Sequence, residues 1–204
     1  MTISRNGGFT FAERPELEAP DARILWRAEV DPATLVVVAS PAVAGDPDAV
    51  DPAVLGPWLT SVSNGSGTHV VLSDGWHHLR IDIVRGSLSE GPVIFHYRLR
   101  GLASAELKIL PLRRLIDLCR RGRFNATLYP PDRRVARWIN ALRVHDALSS
   151  GATQRDIGRT LFGVDFGIET RGAESLRARV RRLVGETRRL AAGRYRTLLR
   201  RDVE

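Results

Sequence analysis

Two adjacent prolines, Pro130 and Pro131, separate stretches of different hydrophobic period. Before them, apolar residues come in short β-branched runs. From Arg133 onward they recur at the three- and four-residue intervals of helices. A chain that changes from period 2 to period 3.6 cannot bury both patterns in one kind of layer. The sequence therefore predicts an α+β protein, an N-terminal antiparallel β meander followed by a C-terminal helical domain of helix-turn-helix type. The expected boundaries are a polar, proline-containing tail over 1–21, a β-rich domain with one helix over 22–122, and the helical domain over 132–204.

Within the β part, "RILWRAEV" (23–30) and "TLVVVAS" (34–40) read as strands joined by the turn Asp31-Pro32-Ala33. The run 41–67 is rich in Pro, Gly and Asp and reads as a loop with at most a short helical turn. "THVVLSD" (68–74), "WHHLRIDIVRG" (76–86) and "PVIFHYRLRG" (92–101) follow, with Asp74-Gly75 as a hairpin signal. Leu79, Ile81 and Ile83 alternate with Arg80 and Asp82, as in a half-buried strand. "AELKIL" (105–110) reads as one more strand, for five or six in all. Pro111 is placed to open a helix with Leu112, Leu115, Ile116 and Cys119 on its apolar face and Gly122 as its stop.

Three helices are expected after the prolines. The first (133–149) places Val135, Trp138, Ile139, Leu142, His145 and Leu148 on one face. In "SSGATQRDIGRTLFG" (149–163), Gly151 ends that helix, Thr153 caps the next, and Asp156 completes a capping box. A connector over 163–172 leads to an Arg-rich helix from about Ala173 to Ala192, and "RYRTLLRR" forms a last turn. On a helical wheel Val180, Leu183, Thr187 and Leu190 lie within about 40° of Leu176, a core stripe. Arg177, Arg181 and Arg188 fall on one flank and Arg182 and Arg189 on the other, with only Glu174 and Glu186 to offset them.

That imbalance belongs to the whole second part of the chain. From Arg120 onward there are 20 arginines against 9 acidic residues, whereas residues 1–119 carry 11 basic against 14 acidic ones. The net charge of +8 therefore sits entirely in the helical part. Such a distribution points to a polyanionic partner, most simply nucleic acid. Arginine also forks onto phosphates and guanine edges better than lysine does.

Other chemistries find little support. Cys119 is the only cysteine, which excludes an internal disulfide and a multi-cysteine zinc site. His77 and His78 are neighbours on a strand and point to opposite faces, and neither HExxH nor a Walker A, GxGxxG or GxSxG pattern occurs. No enzyme, cofactor or metal site is expected. Trp26, Trp58, Trp76 and Trp138 read as core or interface anchors. The N-terminus has no apolar signal region, and the longest apolar stretch (34–45) is too short and proline-broken to span a bilayer. The expected location is the cytoplasm, on the nucleoid.

A first helix, a short capped helix with Gly158 inside it and a basic third helix form the layout of a helix-turn-helix, in which the second helix braces the third in the major groove. The stretch "RWINALRVHDALSSGATQRDIGRTLFG", the later "SLRARVRRL" and the closing "AAGRYRTLLR" resemble the RovC-like DNA-binding domain, named for a transcription factor of type VI secretion. The resemblance runs from about Trp76 to Arg201 and is densest over Trp138–Gly163 and Gly193–Leu199. It implies a bacterial regulator, often encoded on a mobile genetic element, that binds double-stranded DNA through its C-terminal helices. It also allows a same-family antiactivator that binds another regulator instead. From position on the third helix, Arg171, Ser175, Arg177 and Arg181 are the candidate base contacts. Gln154, Arg155, Arg182, Arg188 and Arg189 are the candidate phosphate contacts. A homo-oligomer is expected, because a lone recognition helix rarely gives useful affinity without symmetry, and the β part is free to supply its contacts. RNA binding by the strands is disfavoured, since they lack paired exposed aromatics.

Overall fold

A computed structural model describes residues 17–18, 22–23, 25–43, 45–163 and 173–198. The chain divides into two compact units that meet between Pro130 and Pro131.

The first unit is built on a five-stranded sheet of β1 (Leu35–Pro41), β2 (Leu59–Asn64), β3 (Gly67–Ser73), β4 (His78–Arg85) and β5 (Val93–Tyr97). The strand order β2-β3-β4-β1-β5 is not that of a meander: β1 lies between β4 and β5, parallel to β4 and antiparallel to β5. The mostly antiparallel α+β class holds, but the first strand is central. The run "LVVVA" is apolar at every position, and along β1 fully buried residues alternate with half-buried ones. Leu35, Val37 and Ala39 are buried and share a core with Val70, Leu72, Ile81, Ile83 and Phe95. Gly86, just after β4, has φ +89°, and any side chain there would run into the backbone carbonyl of Ala39.

Several expectations for this unit are corrected. Among the described residues of 23–30 there is no strand, only a single β-bridge at Trp26. Leu25 is fully buried while the chain turns at 28–30, so the run is used for packing rather than for an extended strand. The run 41–67 holds the short helical turn allowed for it, α1 (Pro52–Leu55), capped by Asp51, but also the whole of β2, which was not expected. The Asn64–Gly67 pair closes the β2–β3 hairpin, a turn signal hidden in the polar run "SNGSG". "AELKIL" is helical: α2 spans Gly101–Arg121 with Pro111 inside it. A mid-helix proline costs about 3 kcal/mol, and here burial offsets it. Pro111, Leu115 and Leu118 are buried against the sheet. Lys108 Nζ donates to Thr34 O at 2.6 Å and to Pro32 O at 3.1 Å. Trp76 is 80% exposed at the β3–β4 turn and is no core anchor, whereas Trp58 packs on the core with its ring edge to Phe124.

The second unit consists of α3 (Val135–Ser149), α4 (Gln154–Phe162), α5 (Ala173–Ala191) and a closing 3₁₀ turn, Arg194–Leu198. Val144, Ile157, Val180 and Val184, one or two from each helix, form its core. The inward face of α3 is Trp138, Ala141, Val144 and Leu148, one step around the helix from the face expected. Val135, Ile139, Leu142 and His145 are exposed, Leu142 at 64%. Two apolar stripes run side by side on this helix, and the one carrying Ala141 and Val144 packs against α5.

Candidate nucleic-acid interface

Local sequence sets α4 firmly. Thr153 Oγ1 accepts from the Asp156 backbone N–H at 3.3 Å, and Asp156 Oδ2 accepts from the Thr153 backbone N–H at 3.0 Å. Both halves of the capping box are therefore present. Hydrogen bonding by Thr153 holds the Asp156 carboxyl below its usual range. The helix stops at Gly163, whose φ of +65° is the left-handed cap that glycine adopts without strain. Ile157 and Gly158 are its buried residues, so α4 is held by its caps and by one short face.

The orientation of α5 follows from its own buried stripe. Val180, Val184 and Thr187 are buried, and Leu176, Leu183 and Leu190 are half-buried. Val184 rotates the core face a little from the expected stripe. Thr187 Oγ1 donates to Ala141 O at 3.3 Å, tying α5 to α3 without an unmet hydroxyl. The same two helices are bridged at the surface, where Arg137 donates to Glu186 Oε2 at 2.7 and 3.0 Å. One of the two acids on α5 is therefore neutralised by a neighbouring helix, and the outward arginines of α5 keep their charge.

Those arginines are arranged unevenly. Arg181, Arg182 and Arg189 surround a shallow groove floored by Ala178 and Gly185. A Cβ placed on Gly185 would meet nothing within 4 Å. Glycine in mid-helix costs about 0.5–1 kcal/mol relative to alanine, so a small residue here keeps the backbone open to close approach. Ser175 and Arg177 are exposed on the first turns of α5, and Arg188 is exposed two turns beyond Arg181 on the same flank. Gln154 and Arg155 are exposed on the first turn of α4. Arg171 and most of the 163–172 connector lie outside the described residues.

Sequence reasoning missed a second basic surface. A cleft of about 560 Å³ between α3 and α5 is lined by Arg133, Arg137, Arg179, Arg182 and Arg189, with Phe162 and Leu183 among its apolar residues. Arg179 lies over the Phe162 ring, 4.7 Å from its centroid. The signal was the i, i+4 pair Arg133 and Arg137, overlooked beside the apolar residues of α3.

One polar cluster in the sheet has the spacing of a nucleophile triad. His69 Nδ1 lies 2.9 Å from Asp82 Oδ1, and its Nε2 lies 3.2 Å from Ser66 Oγ. Its bonding is that of a clasp on the β2–β3 hairpin. The Ser66 hydroxyl donates to Asn64 Oδ1 at 2.5 Å, and Asp82 also accepts from buried Arg80 at 3.0 Å. The other histidines expected in the strands are dispersed, His77 on Asp74 and His96 on Ser40. Among the described residues no group of three potential metal ligands occurs, and no helix is long and apolar enough to cross a membrane.

Residues 102–200 match the family model RovC_DNA-bd, described as the DNA-binding domain of a T6SS transcription factor. The match starts at α2, later than the resemblance first traced from Trp76, and it crosses the boundary between the two units. Neither curated proteins nor solved structures give a match.

Proposed function

We propose, from a chain whose residues 102–200 match a transcription-factor DNA-binding domain, that the protein is a sequence-specific transcriptional regulator reading duplex DNA with α5. The observation that carries this reading is the outward face of α5, where Arg181, Arg182 and Arg189 flank the small residues Ala178 and Gly185. Cations around an open backbone suit a phosphate strand that must come close. In this reading α3, α4 and α5 act as a helix-turn-helix with α4 as the brace. Ser175, Arg177 and Arg181, with Arg171 just upstream, address base edges. Gln154, Arg155, Arg182, Arg188 and Arg189 hold phosphates. The functional divisions are a β-rich domain over 22–122 and a DNA-reading domain over 132–204. The protein works as a homo-oligomer on the bacterial nucleoid, and no catalytic role is assigned.

The exposed apolar row Val135, Ile139 and Leu142 on α3 supports a second reading. It is a surface suited to another regulator, as an antiactivator of the same family requires. A salt titration with selected and random duplexes separates the two. A DNA reader loses affinity steeply with salt and keeps a preference between duplexes. Replacing Arg177 or Arg181 with alanine then weakens specific binding by about 1–3 kcal/mol if each reads a guanine. Absence of duplex binding at low salt, together with a defined complex with a purified regulator, refutes the DNA-reading proposal.

A further inference from the structure

The longest helix of the first unit carries an apolar pattern that its own core does not use. Leu102, Ile109 and Ile116 stand seven residues apart on α2 and are 92%, 57% and 45% exposed. Ala105, Leu112 and Cys119 fall midway between and beyond them, so an apolar residue occupies each a and d position of the heptads across α2. Leu112 and Cys119 lean on the sheet core, while Leu102, Ile109 and Ile116 line the outward side. A seven-residue spacing drifts only about 20° per repeat on a straight helix, so the three stay on one line over nearly the whole helix. Burying three large aliphatic side chains is what a second helix would gain here.

We infer that a second copy of this chain packs on that line, α2 against α2 and antiparallel, with the two-fold axis at Ile109. Charge fixes both the partner and the direction. Glu106 and Arg113 are exposed on the same side of α2, three residues before and four after Ile109. In the antiparallel pairing Leu102 faces Ile116 of the second copy, Ile109 meets its own mate, and Glu106 faces Arg113 of the second copy. The last contact occurs twice by symmetry. A parallel pairing would instead turn the two Glu106-Arg113 flanks to opposite sides of the seam, so neither contact could form. This names the surface of the self-association invoked above. It is independent of DNA binding, because its test reads mass and cross-links.

The full chain is examined by size-exclusion chromatography with light scattering at micromolar concentration. The expected mass is twice that of one chain, falling to a single chain in Ile109→Glu. Because Ile109 is already exposed, its thermal melting below the dimerisation range should match the parent. Glu106→Arg weakens the dimer, and adding Arg113→Glu restores it. The direction is read in a Cys119→Ser background on oxidation with diamide. Ile109→Cys alone cross-links to a dimer. Leu102→Cys and Ile116→Cys alone do not, and the Leu102→Cys/Ile116→Cys double variant does. A wild-type chain running at single mass, or a dimer that persists in Ile109→Glu, overturns the inference. A Leu102→Cys dimer formed alone overturns the antiparallel arrangement. None of these outcomes depends on whether the chain binds DNA.

Discussion

Replacing Arg182 and Arg189 together with alanine should change the salt dependence of duplex binding far more than it changes the fold. Both side chains are exposed on α5, and neither contributes to the core of Val144, Ile157, Val180 and Val184. In the proposed interface four arginines sit on phosphates: Arg155, Arg182, Arg188 and Arg189. Each neutralised phosphate releases condensed counterion and adds about −0.9 to the slope of log K against log salt. Four contacts give, for each protomer bound, a slope of about −3.6, which is a loss of roughly 150-fold in affinity between about 50 and 200 mM salt. With two contacts left the slope is about −1.8 and the loss over the same range roughly 12-fold. Fluorescence anisotropy on a labelled duplex across a salt series measures both slopes, and circular dichroism of each variant checks helicity. Arg85→Ala, at the exposed end of β4, serves as the charge control and should leave the slope unchanged. A double variant that stays helical and keeps the wild-type slope refutes the placement of the DNA backbone on this face of α5.

Four further outcomes are expected. Thr153→Ala removes the capping hydroxyl of α4 and should cost about 1 kcal/mol, lowering the midpoint of thermal unfolding by roughly 4–8 °C for a unit of this size. The same box is pH-sensitive with a definite sign. The Asp156 carboxyl is held below its usual value by Thr153, so its contribution is present above the ordinary carboxylate pKa and is lost as pH falls through the lowered one. An NMR titration of Asp156 in the Thr153→Ala variant should move upward. Burial pushes the Cys119 thiol up to about 11, so at pH 8 only about one thiol in a thousand is ionised. Alkylation by iodoacetamide should be slow in the native protein and fast once denaturant is added, and rapid native labelling would contradict the packing of Cys119 on the core. Gly185→Leu should stabilise α5 by about 0.5–1 kcal/mol through helix propensity and yet weaken duplex binding, because its side chain would stand in the groove between Arg181, Arg182 and Arg189. An unchanged affinity would remove this groove from the interface.

Much of the helical half was legible residue by residue. The capping box at Thr153 and Asp156, the stop at Gly163 and the outward arginines of α5 depend on interactions within a few residues, and such local rules read directly from sequence. The rotation of α3 was not legible. Its two apolar stripes, Val135-Ile139-Leu142 and Trp138-Ala141-Val144, satisfy the same period, and only the shape of α5 chooses between them. The cleft between α3 and α5 was missed for the same reason, since Arg133, Arg137, Arg179 and Arg189 come together only when the two helices pack.

In the β half the division is sharper. Sequence by itself determined where apolar residues alternate and where Asp74-Gly75 turns the chain, and its Pro130-Pro131 pair falls where the two units divide. It could not determine that β1 enters the middle of the sheet beside β4, because strand order rests on contacts between residues about fifty apart, and no local propensity encodes them. Nor could it keep α2 continuous through Pro111. Local propensity ends a helix there, and the helix runs on because the sheet buries Pro111, Leu115 and Leu118 on one side and leaves the Leu102, Ile109 and Ile116 line on the other. Local chemistry set the helix caps, the turns and the charge of this protein. Burial, which is a property of the whole packed chain, decided which of its apolar and cationic faces were left outside.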